Sequence, residues 1–129
     1  MQSASKGHVN FNGVHLEKHE KDTINIFVRS GHFIEVIPPS NSPHIKTPDF
    51  TMDGISWEMK SPQGKSKNTL EHIFKRAKKQ SENIIIDLTH SKISEEVAIK
   101  EIERRFIQTS SCRRLKIITC TKKVLDYKK

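Results

Sequence analysis

Cysteine is nearly absent from this sequence: Cys112 and Cys120 are the only two. They form neither a CxxC pair nor a Cys/His zinc pattern, so reduced, structural thiols and no disulfide framework are expected, unless adjoining strands bring the two together. Aromatic residues are only 6% of the chain, so no stacking platform for bases stands out. No apolar run approaches the ~20 residues a membrane span needs, and the N-terminus lacks the apolar core of a signal peptide. The seven histidines lack HExxH spacing, which argues against a zinc hydrolase. Gly64-Lys65-Ser66 looks like the end of a phosphate-binding loop, but that pattern demands glycine where Met59 stands.

What the chain has in excess is positive charge. Lys and Arg number 23 against 15 acidic residues, a net charge of +8, while hydrophobic residues are 33%. One ordinary domain with a modest core and a polyanionic partner follows, nucleic acid first and an anionic membrane surface second.

Residues 1–14 are polar and read as a flexible leader, with one domain over residues 15–129. From Leu16 to Ser30 the pattern is helical, with Leu16, Ile24, Phe27 and Val28 on one side and Gly31 as the stop. His32–Ile37 reads as a strand ended by Pro38-Pro39. Asp53-Gly54, flanked by alternating apolar residues, is a strong hairpin signal that pairs Met52 with Ile55, Phe50 with Trp57 and Asp49 with Glu58. Lys67–Glu82 reads as a basic helix with Leu70, Ile73, Phe74 and Ala77 at helical spacing. Asn83–Thr89 is the short apolar run of a strand buried on both faces. A helix is expected from Ser94 to Gln108, a strand over Arg114–Thr121, and a last short edge strand over Val124–Tyr127. The fold class is α/β, a mixed sheet sandwiched by helices in the order α-β-β-β-α-β-α-β.

The hairpin carries the chemistry. Phe50, Met52, Ile55, Trp57 and Met59 share one face, and Asp49, Thr51, Ser56, Glu58 and Lys60 the other. Carboxylates placed opposite each other repel, so either a cation sits between Asp49 and Glu58 or the face is an ordinary solvated one. Phosphodiester hydrolysis suits the first alternative. Mg²⁺ or Mn²⁺ on Asp49 and Glu58 would offset developing charge, and Lys60 would assist the attacking water. The cluster Lys65, Lys67, Lys75, Arg76, Lys78 and Lys79, with Gln80 beside it, is either a nucleic-acid contact, RNA under the resemblance below, or a solubilising helix surface, and its excess of positive charge favours the contact.

Pro48-Asp49 followed by Glu58-Met59-Lys60 resembles the signature of the PD-(D/E)XK nuclease superfamily, and the element order resembles its core. More narrowly, residues 15–90 resemble the tRNA-cleaving C-terminal toxin domain of contact-dependent growth inhibition (CdiA) proteins. The stretches that carry this are the acidic start of the first helix, Gly31-His32-Phe33-Ile34-Glu35-Val36, Pro48 to Gly54, Trp57 to Pro62, and the basic helix ending in Gln80 to Leu88. The resemblance implies metal-dependent tRNA cleavage by a delivered toxin acting in the target-cell cytoplasm. It also implies a cognate immunity protein, expected to be acidic, so that the chain is a monomer or a heterodimer with that inhibitor. The superfamily often adds an acidic residue on the first helix. Glu20 fits best because it shares a side with Ile24 and Phe27, and Glu17 is the runner-up. Glu35 either joins the site or faces water.

Three rivals stand beside this reading. A DNA endonuclease of the same superfamily would use the same residues. A non-catalytic basic nucleic-acid-binding module would carry Asp49 and Glu58 structurally. A metal-free ribonuclease would use His15, His19, His32 or His44 as acid and base.

Overall fold

The computed structural model describes residues 7–43, 46–64 and 67–129, the side chain of Lys67 excepted. Lys65 and His44, both singled out above, lie outside the described residues. The elements are β1 (His8–Asn10), α1 (Lys18–Arg29), β2 (Phe33–Val36), β3 (Phe50–Met52), β4 (Ile55–Lys60), α2 (Lys67–Ala77), β5 (Asn83–Asp87), α3 (Glu95–Gln108), β6 (Arg114–Ile118) and β7 (Val124–Lys128). From α1 to β6 they follow the expected α-β-β-β-α-β-α-β order, and β7 is the short final strand. Hydrogen-bonded neighbours run β1-β2-β3-β4-β5-β6-β7. The sheet is mixed: β1–β2, β4–β5 and β5–β6 are parallel, the others antiparallel.

The chain divides into two compact units, Met1–Trp57 and Glu58–Lys129. In the first, α1 begins with a reciprocal capping box between Glu17 and Glu20. It ends in a Schellman turn: Gly31, at φ 95°, donates to Val28 O at 3.0 Å, and His32 donates to Phe27 O at 3.1 Å. The helix buries Thr23, Ile24 and Phe27, and Ile34, Val36, Phe50, Met52 and Trp57 are buried on the strands.

The hairpin has the expected register, with Phe50 opposite Trp57, Thr51 opposite Ser56 and Met52 opposite Ile55. Asp53 and Gly54 have φ of 51° and 85°, the two positive values of a type I′ turn. Asp53 also ties the turn to β2. Its Oδ1 accepts the Phe33 N–H at 2.9 Å, and its Oδ2 lies 2.6 Å from His32 Nδ1. The bond to His32, and secondarily the Phe33 amide, hold the Asp53 carboxyl below its ordinary value of 3.8.

Part of the stretch read as a leader is structured: residues 8–10 form β1, parallel to β2. A three-residue strand with one apolar side chain has no periodicity to reveal it. Close backbone approach orders it instead. Gly7 donates to Val28 O at 2.8 Å, and a Cβ on Gly7 would fall 1.8 Å from His32 O.

In the second unit β5 is buried along its whole length, as its apolar run requires. Leu70, Phe74 and Ala77 of α2 and Ala98, Ile102 and Phe106 of α3 pack with Ile84, Ile86, Leu115 and Ile117 in one core. Cys112 is buried and Cys120 exposed, and the two are not bonded to each other. Burial pushes the Cys112 thiol up to about 11.

Asp53→Ala removes both side-chain bonds and leaves alanine at positive φ, so it should cost about 2 kcal/mol in urea unfolding at pH 7. Because the carboxyl is lowered in the folded chain, its contribution is present above pH 3.8 and fades as pH falls through the lowered value. An equal cost for Asp53→Ala at pH 7 and at pH 2.5 would contradict this account of the turn.

Candidate active site

Asp49 sits one residue before β3 with its backbone held on both sides. Its N–H donates to Trp57 O at 3.0 Å and its carbonyl accepts from Ile37 N–H at 2.9 Å. By alternation its side chain belongs to the polar face with Thr51, opposite Phe50. The residue bonded to it, Trp57, immediately precedes Glu58.

Glu58 opens the second unit. It pairs with Ile84, and Ile84 with Leu115, so its side chain shares a row with core residues beneath α2 and α3. It is consequently only 1% exposed. The alternative of an ordinary solvated carboxylate at this position is therefore wrong for Glu58. Lys60, two residues on and 26% exposed, places Nζ 2.8 Å from Glu58 Oε2. The same ammonium donates to Gln80 Oε1 at 3.4 Å. Glu58 and Lys60 are thus brought together, and Gln80 supports the lysine from the turn that follows α2. Gln80 is half-buried, which sets it apart from the exposed cations near it. Directly after Lys60, the buried Ser61 Oγ has no hydrogen-bond partner among the described residues. A carboxylate nearly sealed from water and held against one ammonium is costly to bury, and such pairs are frequent at reacting centres.

The acidic helix residues have structural work as well. Glu20 Oε1 accepts the Glu17 N–H at 2.9 Å, and Glu17 accepts in return from the third helical amide. Glu20 is half-buried and Glu17 exposed. Glu35 is exposed on β2, opposite Thr51 on one side and Asn10 on the other.

α2 ends sooner than expected, at Ala77, with a turn over residues 78–80. Lys75 is 3.1 Å from Glu71, which also meets Arg105 at 3.4 Å. Lys75, and then Arg105, hold the Glu71 carboxyl below its usual value. Arg76, Lys78 and Lys79 are exposed and have no ion-pair partner among the described residues. Among the described side chains of this region, the free positive charge therefore sits at the C-terminal end.

His15 and His19 stand four residues apart, but His15 precedes the start of α1. Among the described residues no group of three or more His, Cys, Asp or Glu is placed to hold a metal ion by itself. No helix among the described residues is long and apolar enough to cross a membrane.

Residues 46–124 match the model of the contact-dependent growth inhibition CdiA C-terminal domain. The chain belongs to that family. The matched span begins just before Asp49 and takes in Glu58, Lys60 and Gln80. Among solved structures, the fold is similar to a chain of a CdiA-CT/CdiI toxin and immunity complex from Burkholderia pseudomallei. The TM-score is 0.69 at 16% identity, over 94% of this chain and 98% of that one. At that identity the likeness is one of fold. Comparison with curated proteins gives no match.

Lys60→Met should lower stability by about 2 kcal/mol, less than the ~3–5 for breaking a fully buried pair because Lys60 reaches solvent. Guanidinium unfolding measures this. An unchanged midpoint would mean that Glu58 does not depend on the lysine.

Proposed function

We propose that this CdiA C-terminal domain is a metal-dependent ribonuclease of the PD-(D/E)XK type, with tRNA as its substrate. The observation that carries the reading is the buried Glu58 carboxylate held 2.8 Å from the Lys60 ammonium. A buried charge pair on one strand, next to the residue that anchors Asp49, has no evident structural advantage over apolar side chains. It has an obvious use in phosphoryl chemistry.

The donors fit a hard divalent cation. Asp49 and Glu58 offer carboxylate oxygens, and Mg²⁺ commonly takes one or two of these with water and substrate phosphate completing its shell. A bound Mg²⁺ or Mn²⁺ would supply charge neutralisation and a more acidic water. Lys60 would orient that water or stabilise charge on the phosphoryl oxygens, and Gln80 would hold the lysine in place. Arg76, Lys78 and Lys79 would take backbone phosphates, with Lys65, Lys67 and Lys75 adding to the field. Glu20 would complete the site, with Glu17 and Glu35 as accessory acids.

Partner and setting follow the family. The Burkholderia neighbour is a toxin in complex with its immunity protein, and a net charge of +8 favours an acidic inhibitor for this chain. The toxin would be delivered to a target cell and act in its cytoplasm.

Purified protein should cleave tRNA with Mg²⁺ and not with EDTA. Asp49→Asn and Lys60→Ala should each slow cleavage about 10²–10³-fold while tRNA binding survives. Cleavage of duplex DNA alone would establish the DNA endonuclease instead. Binding without cleavage of either substrate would favour the non-catalytic module.

Glu20→Gln separates the two jobs of that residue, because glutamine can also close a capping box. The melting temperature should hold within 2 °C or so while cleavage falls at least tenfold, a loss of about 1.4 kcal/mol of transition-state stabilisation. Full activity of Glu20→Gln would leave Glu20 with its capping role alone.

A further inference from the structure

A second concentration of positive charge lies where the second unit's strands begin. Arg113, Arg114, Lys128 and Lys129 line a concavity of about 410 Å³, with Glu82 as the single acidic residue on its wall. The sheet brings them together from opposite ends of a hairpin. Arg114 opens β6 and pairs with Lys128 near the end of the antiparallel β7, and Lys129 N–H donates to Arg113 O at 3.0 Å. Arg113 N–H donates in turn to Glu82 O at 2.7 Å.

Two of the four cations are positioned and two are unneutralised. Arg114 Nη1 lies 3.4 Å from Asn83 Oδ1. Lys129 Nζ donates to the carbonyls at the end of α3, Phe106 O at 2.5 Å and Thr109 O at 2.7 Å, and stands 4.5 Å over the Phe106 ring. Arg113 and Lys128 are exposed and have no ion-pair partner among the described residues. Elsewhere on this unit some exposed cations are paired, Lys75 with Glu71, Lys100 with Glu96 and Arg104 with Glu101, while others such as Arg76, Lys78, Lys79 and Lys92 have no ion pair among the described residues. Four like charges gathered with a single acid, Glu82, outnumber it and repel one another, so this hollow makes a receptor for an anion. Arginine's planar fork and lysine's point charge are the two side chains that phosphate sites use.

We propose that this concavity is a phosphate-binding site that holds the sugar-phosphate backbone of the polynucleotide at a distance from the reacting bond. The proposal rests on the nuclease reading for the identity of the polyanion. Register sets the distance. Glu58 pairs with Ile84 and Ile84 with Leu115, the neighbour of Arg114. Two strand spacings are ~10 Å, which at ~3.4 Å of helix axis per phosphate is about three nucleotides of one strand. Arg114 and Lys128 sit one register position beyond the row of Glu58, on the alternate face and at the strand ends. A chain engaging both sites would therefore pass around this end of the sheet. The matched family span, residues 46–124, stops short of Lys128 and Lys129.

The test is binding of total tRNA by fluorescence anisotropy over a salt series, in EDTA, with gels to show that the RNA stays intact. Arg113→Ala/Lys128→Ala should bind about tenfold more weakly at 100 mM salt. Its log–log salt slope should be shallower by roughly 1.4, two phosphate contacts at about 0.7 each. A pair of substitutions at the exposed Lys92 and Lys100 controls for net charge and should leave the slope within 0.5 of wild type. Arg113→Glu/Lys128→Glu, with its melting temperature checked, should exaggerate the loss. Affinity and slope equal to wild type would overturn the proposal, and so would a loss equal to that of the Lys92/Lys100 control. Loss of binding to polyglutamate with tRNA binding intact would overturn it in favour of an acidic protein partner. Because binding is read without turnover, these outcomes are distinct from failure of Lys60→Ala to stop cleavage, which would count against the nuclease reading alone.

Discussion

The register of one hairpin is the constraint on which the rest depends. The type I′ turn at Asp53-Gly54 fixes Thr51 opposite Ser56 and Phe50 opposite Trp57, and so anchors the Asp49 backbone on Trp57. A slip of one residue would send every side chain of β4 to the other face. Glu58 and Lys60 would then exchange places with Trp57 and Met59, and the core beneath α2 would receive the wrong row. The turn carries no chemistry of its own. Asp53 holds it by reaching across to His32 and Phe33 on the neighbouring strand, so three strands agree on a single register.

The strong periodic signals were legible in the sequence and the weak ones were not. Asp53-Gly54, the apolar spacing of α1 and α2 and the all-apolar β5 are patterns in which local preference and burial agree. β1 escaped notice because three residues held by backbone contacts leave no pattern. The burial of Glu58 was hidden for another reason. Alternation correctly assigns its face but says nothing about what covers that face, and the cover comes from α2 and α3, later in the chain. Gln80 read as one more RNA contact beside the lysines, and only the end of α2 at Ala77 turns it toward Lys60. Arg113, Arg114, Lys128 and Lys129 are two ordinary basic dipeptides until β6 and β7 pair.

Net charge alone would spread attraction over the whole surface, yet much of it is cancelled locally. Glu71 meets Lys75 and Arg105, Glu101 meets Arg104 and Arg105, and Asp126 meets Lys116. Among the cations left without an acid among the described residues are Arg76, Lys78 and Lys79 after α2, and Arg113 and Lys128 at the strand ends. Acids so placed shape the field as much as the bases do.

β4 takes its hydrogen bonds from different partners in its two halves: residues 55–57 from β3 and residues 58–60 from β5. The first pairing closes a two-residue loop and belongs to the microsecond class of events. The second waits for the chain to return through α2, a longer closure with a larger entropic cost. In a chain emerging from an unfolded state, the half of the strand that carries Glu58 and Lys60 is therefore ordered later than the half that carries Trp57. The order of assembly delays the reactive geometry: a partly folded domain has its hairpin before it has its carboxylate–lysine pair.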